Sequence, residues 1–231
     1  MQLGKVMAVV PAAGVGSRMG TNVKKQYLNL IDKPVLLHTL EVLETCPDIS
    51  GMVLVVAPGE EALCRSMVQG RGFTKIMAVV PGGDHRQTSV YHGLMALPAD
   101  TALVVIHDGA RPLVRAAEIS RAVQAAAENG AAALAVPVKD TVKVVNEQGL
   151  VVHTPPRSTL WAVQTPQVFR YELINKAHLA AREAGQLATD DCALVEALGH
   201  PVKLVPGSYE NIKITTPEDL VLAEAFLRRR E

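Results

Sequence analysis

The sequence predicts an α/β protein in which a mostly parallel sheet is flanked by helices. Short apolar runs rich in β-branched residues alternate with helical patterns over much of the 231 residues, and this alternation favours a parallel sheet covered on both faces. Glycine-bearing loops follow three of the predicted strands, at 11–20, 82–84 and 108–111. Ligands in such sheets bind at the carboxyl ends of the strands. We therefore expect these three loops to meet at one site.

The first part of the chain supplies five strands and four helices in alternation. The strands are predicted at 6–10, 52–56, 75–80, 103–106 and 132–136. Their apolar runs are typical of parallel strands that are buried on both faces. The helices are predicted at 34–43, 60–68, 86–97 and 116–128. Pro34 suits the first turn of its helix, and Asn129 followed by Gly130 is typical of a helix end.

From Lys139 the alternation stops, and a β-hairpin is predicted with strands at 141–145 and 150–154. A lone two-stranded hairpin is marginally stable in water, so another surface has to cover it. A second copy of the chain is the expected cover. The sequence thus predicts a homodimer in which residues 138–160 form a dimerisation arm on a single domain of residues 1–231.

The chain after the arm is predicted to close the fold with helices and short extended pieces. The extended pieces are expected at 161–164, 202–205 and 210–214. The helices are expected at 170–184, 190–198 and 217–225. Thr216 is a suitable N-cap for the last helix, because Pro217 then occupies the first helical position.

Charge and cysteine content disfavour several classes of protein. Lys plus Arg and Asp plus Glu number 23 each, so the formal net charge is zero, whereas a nonspecific nucleic-acid-binding protein normally has a basic excess. No apolar run approaches the length of a membrane span, and the first strand begins too early to leave room for a signal peptide. Cys46, Cys64 and Cys192 share no metal-binding or redox spacing. We expect a cytoplasmic protein with reduced thiols that binds neither nucleic acid nor membranes.

The loop at 11–20 has the composition of a phosphate-binding loop. Small residues let the backbone approach a ligand closely, and successive N–H groups can cradle an anion. Arg18 and Lys25 can neutralise phosphate charge there, which indicates a triphosphate site. The loop lacks the Gly-Lys-Ser/Thr ending of a P-loop, and Gly20 stands one position beyond the third glycine of a dinucleotide fingerprint. An ordinary glycine-rich turn is the alternative for this loop taken alone.

Motifs along nearly the whole chain resemble one enzyme family. They are PAAGVGSRMG, KKQY, GGDHRQTSV, HDGARP, PVKDTVK, PPR, TPQVF, ATDD and NIKITTPEDL. In that order they resemble the 2-C-methyl-D-erythritol 4-phosphate cytidylyltransferase family. The resemblance implies a Rossmann-like nucleotidyltransferase fold with a protruding arm. It also implies that CMP passes from CTP to methylerythritol phosphate in isoprenoid precursor biosynthesis, with a divalent cation, usually Mg²⁺, as cofactor.

The resemblance also implies a role for each matching residue. The catalytic cations would be Arg18, Lys25 and Lys213. The CTP-binding positions would be Pro11, Ala12, Ala13, Gly14, Gly16, Gly82, Asp84 and Ser89. The acceptor-binding residues would be Asp108, Arg111, Thr141 and Arg157. Asp108 would also be a possible metal ligand, although the metal would be held mainly by the CTP phosphates. Thr141 and Arg157 would reach the partner's site from the arm, so that each site is shared between two subunits.

The residue types suit this chemistry independently of the resemblance. The attacking oxygen belongs to a phosphate monoester that is already anionic at neutral pH, so positioning and charge neutralisation are needed rather than a general base. His85, His92 and His107 lack a carboxylate–histidine spacing. They are expected to be satisfied or solvated histidines rather than acid–base or metal groups.

Several of these roles have a structural alternative. For Arg18 the alternative is a solvated loop cation, and for Asp108 it is the cap of an Asx-turn. Thr141 has the weakest assignment, because strand threonines are usually structural. Lys213 could simply pair with Glu210. Lys24, next to Lys25, is expected to be a surface neighbour of the working lysine, with an exchange of roles between the two as the alternative.

Two other functions stay open at this point. A cytidylyltransferase of the same fold could act on ribitol 5-phosphate or a related polyol phosphate, since the arm and the 108–111 loop would choose the acceptor. A noncatalytic CTP-binding module would keep the loop. Such a module would have no reason to keep Arg18, Lys25, Arg157 and Lys213 together, and it would release no pyrophosphate.

Overall fold

The computed structural model describes residues 4–14 and 24–230. The strands in this part of the chain are β1 (Lys5–Pro11), β2 (Asn29–Leu30), β3 (Lys33–Pro34), β4 (Gly51–Val56), β5 (Ile76–Pro81), β6 (Thr101–Ile106), β7 (Ala131–Pro137), β8 (Val144–Val145), β9 (Val151–His153), β10 (Trp161–Arg170) and β11 (Lys203–Pro206). The α-helices are α1 (Val35–Thr45), α2 (Glu61–Val68), α3 (Arg86–Met95), α4 (Ala116–Asn129), α5 (Tyr171–Glu183), α6 (Asp191–Ala197) and α7 (Pro217–Arg228). Short 3-10 turns lie at Lys25–Tyr27 and Arg157–Thr159.

Seven strands form one central sheet in the order β11-β7-β10-β6-β1-β4-β5. β1 pairs in parallel with β4 and β6, β4 with β5, and β7 with β11. β10 is antiparallel to both of its neighbours, β6 and β7. The predicted mostly parallel sheet flanked by helices is confirmed.

The sheet is apolar on both faces because helices cover both. Along β1, Ala8 and Val10 pack with residues of α1 and α4, whereas Met7 and Val9 pack with residues of α3 and α5. Successive strand side chains point to opposite faces, so a strand between two helical layers needs an apolar residue at every position. This is why β1 and β4 read as unbroken apolar runs.

β10 is longer than the sequence predicts. Its first residues match the piece expected at 161–164, but the strand continues to Arg170 in the interior of the sheet. Pro166 would argue against an interior strand because proline cannot donate to the ladder. The pairing with β7 is interrupted between Val163 and Gln167, and the pairing with β6 starts at Gln167. Pro166 therefore lies where neither ladder requires its missing N–H.

The predicted extended piece at 210–214 is not a strand. Side-chain hydrogen bonds hold this segment, together with a backbone bond from the N–H of Ile214 to the carbonyl of Ala110 at 2.8 Å. The buried Asn211 donates from Nδ2 to Oε1 of Gln164 and to the carbonyl of Thr165, and Arg111 donates to the carbonyl of Asn211. A hydrophobic alternation read from the sequence does not distinguish this arrangement from a ladder. The segment nonetheless brings Lys213 back to the sheet.

The hairpin at 141–154 is present but shorter than predicted, with β8 and β9 as its paired part. Its apolar side chains face solvent within the single chain: Val145, Leu150, Val151 and Val152 are 52–63% exposed. Several exposed apolar side chains on one short hairpin are typical of an interaction surface.

The ends of α4 and α7 follow the predicted capping chemistry. Gly130, directly after α4, has a φ of 85°, a left-handed conformation that glycine adopts without strain. Thr216 and Asp219 form a capping box at the start of α7, and this helix extends to Arg228, beyond the predicted residue 225. Among the residues that the structure describes, no helix combines the length and the apolar character required to cross a membrane.

Candidate active site

Loops at the carboxyl ends of β1, β4, β5 and β6 surround a cavity of about 380 Å³. The predicted meeting of the three glycine-bearing loops is thus confirmed for their described residues. The predicted site residues that line the cavity are Pro11, Ala12, Ala13, Gly14, Lys25, Asp84, Ser89, Asp108 and Lys213. Gly16 and Arg18 lie outside the described residues.

The backbone of Ala12 anchors the first loop to the sheet. Its N–H donates to the carbonyl of Val55 at 2.7 Å, and its carbonyl accepts from Nε2 of Gln26 at 2.7 Å. Gln26 is buried, so this bond also fixes the chain where it leaves Lys25. Because the Ala12 N–H is already bonded to β4, Ala12 lines the cavity but does not offer this N–H to a phosphate.

Lys24 and Lys25 are neighbours that both line the cavity. Lys24 Nζ lies 2.7 Å from Oε1 of Glu60, and the hydroxyl of Tyr27 donates to Oε2 of the same carboxylate. Glu60 therefore holds Lys24 at the wall of the cavity. Lys25 lines the cavity as well and begins the 3-10 turn.

The second loop is tightly packed and shaped by Ser89. A Cβ on Gly82 would lie 2.6 Å from both the Ala13 Cβ and the Ser89 Oγ, so any side chain there would displace the first loop. The N–H of Gly83 donates to Ser89 Oγ at 3.1 Å, and that hydroxyl donates to the carbonyl of His85. Gly82 thus keeps two loops together rather than lining the cavity.

Asp108 is a buried carboxylate that accepts from one cation on each oxygen. Arg86 Nε lies 3.0 Å from Oδ1, and Lys213 Nζ lies 2.7 Å from Oδ2. Burial alone would raise the pKa of Asp108, but the charges of Arg86 and Lys213 outweigh it and hold the pKa far below its ordinary range. The carboxylate is therefore ionised at all working pH values. Both oxygens bind cations, so the alternative of an Asx-turn cap is not supported.

Two other residues near Asp108 have settled structural partners. His107 is buried, with Nε2 donating to the carbonyl of Arg111 and Nδ1 facing the hydroxyl of Thr165 at 3.1 Å. Burial lowers the pKa of His107 to about 4, so the ring is neutral at neutral pH. Thr165 Oγ1 in turn accepts from the backbone N–H of Asp108. His107 is thus a satisfied histidine that supports the Asp108 backbone, as the sequence predicts.

Two charged residues of the site are missing from the sequence-based assignment. Arg86, at the start of α3, pairs with Asp108 and also with Asp191 at the start of α6, where Nη1 and Oδ2 are 2.7 Å apart. Arg86 lies in the motif GGDHRQTSV and Asp191 in the motif ATDD. Their place in these motifs is the sequence signal that points to them. Their pairing joins residues 105 positions apart, and nothing in local spacing indicates it.

The acceptor-binding candidates fall into two groups. Arg111 is next to the cavity and donates from Nη1 to the carbonyl of Asn211 at 2.7 Å. Thr141 and Arg157 are exposed on the arm and do not line the cavity of their own chain. Arg157 donates to the carbonyl of Lys139, at the base of the arm.

Glu210 does not pair with Lys213. It accepts instead from Arg115 at 2.9 Å, from Arg230 at 2.8 Å and from Arg229. This cluster fastens the end of α7 to the segment that carries Lys213. The alternative in which Lys213 merely pairs with Glu210 is therefore wrong.

The Glu210 cluster predicts a dependence of stability on pH. The hydrogen bond from Arg230 and the neighbouring guanidinium groups lower the pKa of Glu210 to about 2. A depressed carboxylate pKa stabilises the folded state above its ordinary value of 4.5, and this contribution is lost as the pH falls from there towards 2. Glu210→Gln should lower the melting temperature at pH 7 by about 2–4 °C, and the difference from the unmodified protein should shrink below pH 4.

Thermal denaturation between pH 3 and pH 8 measures this effect. Glu183→Gln serves as a control, because Glu183 is an exposed carboxylate at the end of α5. A melting-temperature difference for Glu210→Gln that is the same at pH 3 and pH 7 would contradict the assigned ion pairs.

Comparison with known proteins identifies the family. The family model IspD, 2-C-methyl-D-erythritol 4-phosphate cytidylyltransferase, matches residues 6–229. The enzyme of that name from Desulforamulus reducens is 72% identical over 229 residues, covering 99% of this chain and 98% of the relative. The one from Pelotomaculum thermopropionicum is 57% identical over 98% of this chain and 96% of the relative.

A solved structure agrees with this match. The crystal structure of 4-diphosphocytidyl-2C-methyl-D-erythritol synthase from Anaerococcus prevotii superimposes with a TM-score of 0.88 at 32% identity, covering 97% of this chain and 96% of that one. The matches extend over the sheet, the cavity and the arm. The chain belongs to the 2-C-methyl-D-erythritol 4-phosphate cytidylyltransferase family.

Proposed function

We propose that the protein transfers CMP from CTP to 2-C-methyl-D-erythritol 4-phosphate, giving 4-diphosphocytidyl-2-C-methyl-D-erythritol and pyrophosphate for isoprenoid precursor biosynthesis. The observation that carries the proposal is the cavity itself. A small-residue loop and Lys25 lie on one wall, and the Asp108–Lys213 pair lies on another. Membership of the family supports this choice of substrates.

The reaction is an in-line displacement at the α-phosphorus of CTP. A phosphate oxygen of the acceptor forms a bond to the α-phosphorus, and the bond from the α-phosphorus to the oxygen bridging to the β-phosphorus breaks, releasing pyrophosphate. The second pKa of a phosphate monoester is about 6, so the nucleophile is ionised at neutral pH and needs no general base. The barrier comes from bringing one anion to another.

Fixed cations and backbone donors lower that barrier. In the proposal, Arg18 and Lys25 hold the triphosphate and stabilise the charge that develops around the α-phosphorus. Ala13 and Gly14 offer backbone to the phosphates, and Asp84 in the second loop and Ser89 on α3 recognise cytosine and ribose. The cavity brings the described members of this group within reach of one ligand.

The acceptor is assigned to the part of the cavity that Asp108 and Lys213 line. Asp108 is ionised and accepts from Lys213, so the pair can offer both an acceptor for substrate hydroxyls and a cation for the substrate phosphate. Arg111 lies next to this pair and adds a second cation. In the proposal, this arrangement binds a phosphorylated polyol through its hydroxyl groups and through its phosphate.

A divalent cation fits this donor set when the nucleotide supplies most of the ligands. Among the described residues, no group of three or more His, Cys, Asp or Glu side chains could hold a metal ion alone. Mg²⁺ commonly binds through one or two carboxylates together with substrate phosphates, and Asp108 is a carboxylate on the cavity wall. We assign Mg²⁺, held by CTP phosphates and by Asp108, to neutralise phosphate charge when bound.

A homodimer completes the proposed site. The hairpin exposes several valine and leucine side chains, and Thr141 and Arg157 lie on the same arm, outside the cavity of their own chain. Burying these apolar side chains against a second copy would remove apolar surface from water. It would also carry both residues to the partner's cavity.

Mixing two inactive variants tests this arrangement. Lys25→Ala and Arg157→Ala each disable a different part of the site. In a mixed dimer, one of the two sites receives an intact Lys25 from its own chain and an intact Arg157 from the partner. At acceptor concentrations below KM, purified mixed dimers should recover about half of the unmodified activity. Mixed dimers that are no more active than either parent would contradict the shared site.

The proposal places the protein in the cytoplasm, without nucleic-acid or membrane partners. Cys46, Cys64 and Cys192 are buried and unpaired, as is usual for proteins kept in a reducing compartment. The balanced charge gives no basic surface excess for nucleic acid.

Pyrophosphate release tests the proposed function. The assay contains CTP, Mg²⁺ and methylerythritol 4-phosphate, and it is repeated without the acceptor and with ATP, GTP or UTP. Release should require the acceptor and should be preferential for CTP, with the diphosphocytidyl product identified by mass. Acceptor-independent release, or no release at all, would contradict the proposal.

A further inference from the structure

Arg86 bridges two carboxylates that have little contact with water. Its Nε donates to Oδ1 of Asp108 at 3.0 Å and its Nη1 to Oδ2 of Asp191 at 2.7 Å. The side chains of Asp108 and Asp191 are 8% and 1% exposed, so each charge depends on protein donors for its stabilisation. A planar guanidinium can hold two acceptors in fixed directions, which the single ammonium of a lysine cannot.

Asp191 is itself held by residues that lie away from the cavity. Oδ1 accepts from Nε2 of the fully buried His178 on α5 at 3.1 Å, and its backbone N–H donates to Oε1 of Gln167 on β10 at 3.1 Å. These bonds fix the direction of the Asp191 carboxylate from two separate elements. Asp191 can therefore dictate how the Arg86 guanidinium is turned.

We propose that Asp191, acting through Arg86, is a positioning residue that determines where Asp108 holds Lys213. With Asp191 present, Arg86 offers only Nε to Asp108, and the second oxygen of Asp108 is left for Lys213 at 2.7 Å. Without the charge of Asp191, the guanidinium turns to pair with both oxygens of Asp108, because the bidentate pair is the favoured arginine–carboxylate geometry. Lys213 then loses its fixed partner.

This inference rests on the proposed function, in which Lys213 and Asp108 bind the acceptor. It predicts a loss confined to the acceptor side of the reaction. Small displacements of a positioning group cost catalysis heavily, and the group displaced here is Lys213, which is assigned to the acceptor. Asp191→Asn should therefore lower kcat/KM for methylerythritol phosphate by about 10- to 100-fold and leave KM for CTP within about threefold.

The adjacent carboxylate provides the matched control. Asp190 caps α6 by accepting from the N–H of Ala193 at 3.0 Å and also accepts from Gln167, but it is not bonded to Arg86. Asp190→Asn should lower the melting temperature, but it should not lower kcat/KM for the acceptor selectively while leaving KM for CTP unchanged. Both variants are assayed well below their melting temperatures.

A double-substitution cycle tests the route through Lys213. If Asp191 acts by placing Lys213, then Asp191→Asn added to Lys213→Ala should change kcat/KM for the acceptor by less than about twofold. If Asp191→Asn does not fold, Arg86→Lys takes its place, because it keeps the positive charge but removes the bridge between the two carboxylates. We expect this variant also to lose kcat/KM for the acceptor while KM for CTP changes little. Equal losses for both substrates, or the full loss retained in the Lys213→Ala background, would overturn the inference.

A crystal structure of Asp191→Asn separates this inference from the proposed function. We expect both oxygens of Asp108 to be bonded to Arg86 and Lys213 Nζ to have left Oδ2. An unchanged Arg86–Asp108–Lys213 arrangement would overturn the positioning role even if the enzyme is active. An unmodified enzyme that does not turn over would instead count against the proposed function alone, since the structural result needs no activity.

Discussion

Lys25→Ala is expected to lower kcat by about 10²- to 10³-fold, the usual loss when one fixed donor to transition-state charge is removed. Lys25 lines the cavity directly after the first loop, and Gln26 behind it is bonded to Ala12. In the proposed reaction, negative charge accumulates around the α-phosphorus as the two anions meet. Steady-state kinetics with both substrates saturating would measure the loss.

Lys24→Ala is the matched control for that experiment. Lys24 also lines the cavity, where its ammonium lies 2.7 Å from Glu60, and the proposal assigns the triphosphate to Lys25 rather than to Lys24. We expect kcat to fall by less than about tenfold. Equal losses in the two variants would mean that the roles of the two lysines have been wrongly divided. A larger loss for Lys24→Ala would reverse them.

Lys213→Ala is expected to lower kcat/KM for the acceptor by about 10²-fold, with a smaller effect on KM for CTP. The substitution removes the cation that lies 2.7 Å from Oδ2 of Asp108. Asp108 keeps its bond to Arg86, so no buried charge is left without a partner and the protein should still fold. The loss therefore falls on the reaction rather than on stability.

Initial rates with each substrate varied in turn would separate the two effects of Lys213→Ala. Lys203→Ala is a suitable control, since Lys203 is exposed on β11 and does not line the cavity. Its kinetic constants should stay within about twofold of the unmodified protein. A rise in KM for CTP as large as the effect on the acceptor would place Lys213 on the nucleotide side instead.

The parts of the fold that can be predicted from the sequence are those with a simple local signal, such as an unbroken apolar run or a glycine at a helix end. β1 from Val6 onward and the whole of β4 are apolar because helices cover both faces of the sheet. The end of α4 can be predicted because glycine is the residue that adopts a positive φ without strain, and Gly130 has such a φ. β10 cannot, since its buried middle carries polar side chains, Gln164 and Gln167 among them. These pair with Ser208 and Asp190, and such partners are set by the tertiary structure.

The site follows the same division. Asp108 and Lys213 are found through motifs that match a family, and the fold brings the two side chains to 2.7 Å. Arg86 and Asp191 sit in the same motifs but were not assigned roles, because their importance comes from burial and from a contact across the fold. A single sequence carries no direct record of which charges are buried together. Only the assembled structure makes that pairing visible.

The most direct test of the proposed function compares two acceptors on one preparation. Turnover with CTP and Mg²⁺ is measured with methylerythritol 4-phosphate and, in parallel, with ribitol 5-phosphate. We predict that kcat/KM is at least about 100-fold higher for methylerythritol phosphate, because the acceptor wall must match the groups of its own substrate. A preference for ribitol phosphate would keep the chemistry and overturn the acceptor. If neither acceptor leads to pyrophosphate release, the result would contradict the enzymatic function itself.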